Sequence, residues 1–232
     1  MTEAVRLSGF DPVRTPTAAD RVFEVLYEQV VTLALPPGTR LSEVEVAKAA
    51  GVSRQPVRDA FWRLSQLGFL TIRPQRSTEV SAISERAVQQ ARFVRTALEV
   101  ETVRVATGEF GAKEYAVLDD LIAAQAAAVA AQDREGFHAL DDEFHHRICA
   151  LSGHEFAWAL IRENKAHMDR VRFLSLSFGA PQALEDHLAI LAPMRAGDAE
   201  AAAAAMRTHL GRIEDILARI RVTHGDHFGS EN

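Results

Sequence analysis

Four side chains in the second half of the sequence have the types and spacing of a metal centre. The stretch HALDDEFHHRICALSGH holds Asp141 and His145 at i, i+4, which places a carboxylate and an imidazole on one helix face about 6 Å apart. Phe137, Leu140, Phe144, Ile148 and Leu151 trace the buried stripe of that helix, and the pair flanks the stripe, facing inward. Taken alone, the two read first as a hydrogen-bonded pair. His187 lies between Leu184 and Leu191, and His209 between Met206 and Ile213, so each occupies a core position whose ordinary reading is a buried, hydrogen-bonded histidine. The midpoint of 187 and 209 is 198, in the Gly197 and Asp198 turn. An antiparallel hairpin therefore sets both imidazoles level, each roughly 16 Å from the turn. Two level, buried imidazoles need partners, and a divalent ion shared with Asp141 and His145 supplies one. Three nitrogens and one oxygen suit Zn, Ni or Mn, with coordination positions left open.

A second constellation, GVSRQPVRDAF (51 to 61), has the chemistry of polyanion recognition. Ser53 is a good N-cap, and Pro56 falls in the first turn, where a missing N–H costs little. Val57, Ala60, Phe61 and Leu64 follow i, i+3, i+4, i+7 and face a core, which leaves Arg54, Gln55 and Arg58 exposed together. A helix N-terminus favours anions, and arginine forks fit both phosphate and the O6/N7 edge of guanine. The whole chain is acidic, with 26 Lys+Arg against 32 Asp+Glu and a net charge of −6. From Ser53 to Arg76, however, Arg54, Arg58, Arg63, Arg73 and Arg76 face one acid, Asp59. Eleven residues alone read as an ordinary helix start with solvated arginines. The surrounding elements decide otherwise.

Those elements fall into two unlike halves. Residues 21 to 83 predict three short helices and a hairpin. The first runs from about Asp20, with Val22, Leu26, Val30 and Leu33 on one face, until Pro36, Pro37 and Gly38 stop it. The second opens on a Ser42/Glu45 capping box, with Leu41 as a staple, and ends at Gly51. The third begins at Ser53. FLTIRP and TEVS then form two strands around Gln75, Arg76 and Ser77. This is the order of a winged helix-turn-helix, with a reading helix for the major groove and Arg76 at the wing tip. From Ser84 onward only helices are predicted, six of them, bounded near Gly108, Gln132, Gly153, Gly179 and Gly197. The alanine runs AAQAAAVAAQ and AEAAAAAM signal close helix packing. The expected fold is mainly α: a winged helix-turn-helix over 17–83 and an all-α helical bundle over 84–222. The tails 1–16 and 223–232 are expected to be loose, with His224 and His227 solvated.

No stretch approaches the ~20 apolar residues that cross a bilayer, and the N-terminus lacks an export signal. The single cysteine, Cys149, excludes an internal disulfide and fits a reducing cytosol, so a cytoplasmic location is expected.

The stretch LPPGTRLSEVEVAKAAGVSRQPVRDAFWRLSQLGFL resembles the DNA-binding domain of the GntR family of bacterial transcription regulators, with its PPG turn, VSRxPVRxA recognition helix and xLGxL exit. One departure is Ser77, which follows Arg76 where the family wing usually has glycine. The helical half resembles the FCD branch of that family, through the Asp-x-x-Phe-His motif (Asp141, Phe144, His145) followed by His187 and His209. The resemblance implies a divalent metal on these four residues and an organic acid effector, such as a sugar acid or hydroxy acid, at its open sites. It implies a homodimer on a palindromic operator, with Arg40, Ser53, Arg54, Gln55, Arg58 and Arg76 facing double-stranded DNA, and repression relieved by the effector. Arg95 and Glu99, at i, i+4, read from spacing as a helix-surface ion pair; the resemblance makes Arg95 a carboxylate clamp. His146 and His154 are left as surface residues. A rival reading is a metal-dependent helical-bundle hydrolase or oxygenase, which lacks an evident general base and leaves 21–83 unexplained. A third is a constitutive DNA-binding architectural protein with a structural metal.

Overall fold

The computed structural model describes residues 16–72 and 77–229. Helix α1 (Ala18–Val31) starts two residues before the expected Asp20, because Thr17 and Asp20 form a reciprocal capping box: each side chain accepts the other residue's backbone N–H. Leu33, expected on its apolar face, lies past the helix end at φ 59°. The chain then forms a short strand, β1 (Arg40–Leu41), that the sequence did not signal. Helix α2 (Glu43–Ala50) begins after Ser42, but the Ser42 side chain makes no capping hydrogen bond, so the expected capping box is not formed. Gly51 closes α2 in the left-handed conformation, φ 65°. Helix α3 (Arg54–Gln66) buries Val57, Ala60, Phe61 and Leu64 as expected, packing on α1. Ser53 precedes it in extended conformation, again without a side-chain cap bond.

Strands β2 (Leu70–Thr71) and β3 (Thr78–Val80) complete the wing. The sheet has three strands rather than two, in the order β1-β3-β2, because Arg40 pairs antiparallel with Glu79 while Leu70 pairs with Val80. Arg73, and Arg76 with its expected place at the wing tip, lie outside the described residues.

The second half is helical throughout: α4 (Glu85–Glu109), α5 (Ala112–Ala131), α6 (Arg134–Leu151), α7 (Glu155–Asn164), α8 (Ala166–Ala196), α9 (Ala199–Gly211) and α10 (Ile213–Thr223). The break expected near Gly179 is absent. Helix α8 runs 31 residues through Gly179 and Pro181. Its sides are covered by α4, α5, α6, α9 and α10, and this packing outweighs the local cost of a helical glycine and proline. The chain instead turns at Lys165, where no glycine or proline marks the sequence, and at Arg212, directly after Gly211. The small Ala202 and Ala203 let α9 lie close against α4 and α8, both alanines fully buried.

The tail is not loose through Gly229. A 3-10 turn (Gly225–His227) returns to the domain junction, where Ile83 N–H donates to His227 O at 2.8 Å and Gly229 N–H donates to Ile83 O at 3.2 Å. At the same junction α8 enters the core of the N-terminal half through Ala166. Arg170 donates to the carbonyl of Ser81 at 2.6 Å, and Tyr27 of α1 donates to the Asp169 carboxylate at 3.1 Å.

Candidate functional site

Helix α6 positions Asp141 and His145, α8 positions His187, and α9 positions His209, with the Gly197 turn (φ 74°) setting the α8–α9 register. The four side chains meet as their spacing implied: one donor atom from each lies within 4.8 Å of the others. His145 Nε2 faces His209 Nε2 at 3.1 Å, and His187 Nε2 lies 3.4 Å from Asp141 Oδ1. Every imidazole is oriented from behind. His145 Nδ1 meets Glu99 at 2.5 Å, His209 Nδ1 meets Asp186 at 3.3 Å, and His187 Nδ1 meets the Gln125 carbonyl at 2.8 Å. Gln125 is held in that sense because its amide nitrogen donates to Leu140 O. Each Nδ1 thus carries the proton, and three Nε2 lone pairs converge on one point beside a carboxylate oxygen.

Lone pairs facing one another at such distances repel unless a cation stands among them. His187 Nε2 is buried without a hydrogen-bond partner. Burial, together with His209 and His145, pushes the His187 pKa well below its ordinary 6.5, and burial brings His209 down to about 4. Both are neutral imidazoles at neutral pH, with a lone pair available to a metal. The residues fit a divalent ion, with Glu99, Asp186 and Gln125 as the supporting layer.

Arg95 and Glu99 correct an expectation. They form no surface pair: both are buried, at 3% and 2% exposure, with Arg95 Nε 2.5 Å from Glu99 Oε1. Burial opposes ionisation of Glu99, but Arg95 and His145 outweigh it and hold its carboxyl well below the usual range. Arg95 also lines a cavity of about 230 Å³ that opens against Asp141 and His209. Arg172 lines it too and was missed by spacing. It pairs with Asp141, with Asp142 at 2.9 Å and with Asp169 at 3.1 Å. A neighbouring trio of two carboxylates and an imidazole, Asp142, Asp169 and His138, carries its own cation: Lys165 Nζ sits 2.6 Å from Asp142 and 2.5 Å from Asp169.

On α3, Arg54 and Arg58 are exposed, their side chains 59% and 56% accessible, and both point forks at one carboxylate, Glu43 of α2. Arg54 Nη2 lies 2.9 Å and Arg58 Nη2 3.1 Å from Glu43 Oε2. Hydrogen bonds from Arg58 and then Arg54 hold the Glu43 carboxyl below its ordinary value. Gln55 donates to Asp59 at 2.8 Å, Ser53 is exposed at the helix start, and Arg40 meets Glu79 across the sheet at 3.0 Å. Arg76 falls outside the described residues.

Over residues 18–80 the chain matches the bacterial regulatory proteins of the gntR family, and over 90–212 the FCD domain. It is 33% identical to the HTH-type transcriptional repressor RspR of Escherichia coli (strain K12), over 100% of both chains. The chain belongs to the GntR family. A second relative of the GntR chain, 28% identical over 84% of it and 86% of the relative, is the probable D-xylose utilization operon transcriptional repressor of Paenarthrobacter nicotinovorans. Among solved structures, E. coli McbR/YncC superposes with a TM-score of 0.76 at 22% identity, covering 88% of this chain and 99% of that one, which speaks to the fold. The GntR chain is a transcription regulator and not an enzyme, as are the family and relatives it matches, so the hydrolase or oxygenase reading is set aside. Among the described residues, no helix is long and apolar enough to cross a membrane.

Two features of the GntR chain lay beyond sequence reasoning. Glu43 stands next to Arg54 and Arg58 across the turn between helices, and no periodicity reports such a contact. Arg172 enters the site only because α8 continues unbroken, so a predicted break near Gly179 hid its relation to His187.

Proposed function

We propose that the protein is a ligand-responsive, dimeric DNA-binding repressor of the cytoplasm, whose helical domain (84–222) binds a divalent metal and a small organic acid and whose winged domain (17–83) reads a palindromic operator. The observation that carries this reading is the convergence of three imidazole Nε2 atoms and the Asp141 carboxylate beside a cavity, in one chain with an exposed pair of recognition-helix arginines. Asp141, His145, His187 and His209 would hold Zn, Ni or Mn. A bound ion supplies a fixed positive charge to which a carboxylate can be drawn. Arg95 and Arg172 line the same cavity and add cationic forks for that carboxylate, although Arg95 is already engaged by Glu99.

Arg54, Gln55, Arg58 and Ser53 face the groove, Arg40 and Arg76 the flanking backbone. Two relatives, the repressor RspR and the probable D-xylose utilization repressor, support repression as the outcome. Exposed Phe93 on α4 and Phe156 and Leu160 on the adjoining α7 give an apolar surface suited to a second copy of the chain. Dimers place two reading helices at a fixed separation, so a ligand that alters that separation alters affinity without touching DNA.

The test is titration of the chain against its own upstream DNA. Arg58→Ala should weaken specific binding by about 1 to 3 kcal/mol. Unchanged affinity removes α3 as the reading helix.

A further inference from the structure

The cavity beside the metal ligands has two unlike ends. One is ionic, formed by Asp141, His209, Arg95 and Arg172. The other is apolar, formed by Phe137, Phe178, Leu210 and Ile216. The other polar groups of the lining, Asp215 apart, are already engaged with one another. The Gln182 amide donates to Asp186 at 3.2 Å and to Glu185 at 3.3 Å. Arg212 donates to Asp186 at 2.8 Å, and Ser175 donates to the Arg172 carbonyl at 2.7 Å.

Charge limits the ionic end. Four cations (Arg95, Lys165, Arg172, Arg212) are interleaved with six acids (Glu99, Asp141, Asp142, Asp169, Asp186, Asp215), a sum of −2. A divalent ion brings that sum to zero, so one carboxylate drawn to the ion leaves a small negative surplus, and a second would add to it against Asp215. Size limits the rest. A cavity of 150 Å³ holds a benzene ring, so about 230 Å³ holds on the order of ten non-hydrogen atoms.

We infer that the effector is a monocarboxylate with a compact apolar body, branched or aromatic, and not a polyhydroxylated sugar acid or a dicarboxylate. The inference rests on the proposed acid site and narrows what enters it. The carboxylate lies at the ionic end and the body against Phe137, Phe178 and Ile216. A sugar acid would press several hydroxyls against walls whose polar side chains, the exposed Asp215 apart, are engaged with one another, and each hydroxyl left unpaired lowers affinity roughly tenfold.

The experiment compares thermal unfolding of the full chain, loaded with zinc, nickel or manganese, in 4-methylpentanoate or benzoate against gluconate or malate. The apolar pair should raise Tm by about 5 °C at a hundredfold excess over Kd, while gluconate and malate leave it in place. If gluconate or malate raises Tm and the apolar acids do not, the narrowing is overturned and the acid site stands. If no acid moves Tm, the acid site itself is overturned. Ile216→Asn, at a half-buried position, should abolish the shift with 4-methylpentanoate while elemental analysis shows metal retained. An undiminished shift in that variant overturns the placement of the apolar body.

Discussion

The carboxylate of Glu43 engages the two arginines that are proposed to reach DNA, and this changes what each arginine can do. A free guanidinium on a helix surface binds any phosphate. Held by a common acid, Arg54 and Arg58 keep a fixed orientation, and a phosphate must compete with Glu43 for them, whereas a guanine edge met in the correct register rewards that orientation. Glu43→Gln should therefore raise binding to scrambled DNA, steepen its salt dependence by about one unit, and lower the operator-to-scrambled affinity ratio. Anisotropy titrations on both duplexes across salt concentrations check this; a ratio that does not change shows Glu43 to be a bystander. At this scale the sequence was legible wherever a residue's neighbours lay within its own helix. The exposure of Arg54 and Arg58 and the inward aim of Asp141 and His145 followed from periodicity. Glu43 and Arg172 act across elements and left no such mark.

Among elements, the proposed metal ligands come from three helices, and one αL turn at Gly197 sets the register of α8 and α9. That is why positions 187 and 209 could be matched from their midpoint even though α8 proved nearly twice the expected length. Gly179 and Pro181 read as a stop because single-helix rules count only local cost; the packing of α8 on five other helices supplies what those rules omit. The double substitution His145→Ala, His209→Ala removes two of the four donors and should reduce bound metal to well below one equivalent by elemental analysis, with the metal-dependent rise in Tm lost.

The start of α8 makes a different prediction. Burial and Arg170 push the His167 pKa down from 6.5 to about 3. Its neutral Nδ1 faces Ser84 N–H at 3.2 Å and Arg170 at 2.7 Å, fastening α8 to the linker. Because the folded pKa lies below the unfolded one, this contribution is complete above pH 6.5 and declines as pH falls toward about 3. His167→Gln keeps an acceptor that does not titrate. Its Tm should fall less than that of the parent between about pH 6.5 and 4, and identical slopes would contradict the assignment.

For the whole molecule, the contact that joins the two functions is a buried ionic chain. Arg172 touches Asp141 at the proposed metal site and Asp169 one turn away, and Asp169 accepts from Tyr27 on the first helix of the winged domain. Lys165 closes the group from the side. Any ligand that draws Arg172 toward itself changes what holds Asp169, and so what holds Tyr27. Tyr27→Phe deletes one hydrogen bond and should leave metal content and unliganded operator affinity near those of the parent. The change in operator affinity on adding metal should shrink by about 1 kcal/mol. Paired titrations with and without metal measure it; an unaltered difference places the coupling elsewhere. None of this chain was legible in advance, since it unites positions 27, 141, 169 and 172 only after two domains have docked.

The strap from Gly225 to Gly229 pins Ile83, the residue where one half of the molecule hands over to the other. The turn after α10 is therefore part of the joint between the two halves. A reporter or affinity handle fused there would pull on this junction, whereas a handle placed ahead of α1 leaves the contacts between Ile83 and the strap undisturbed.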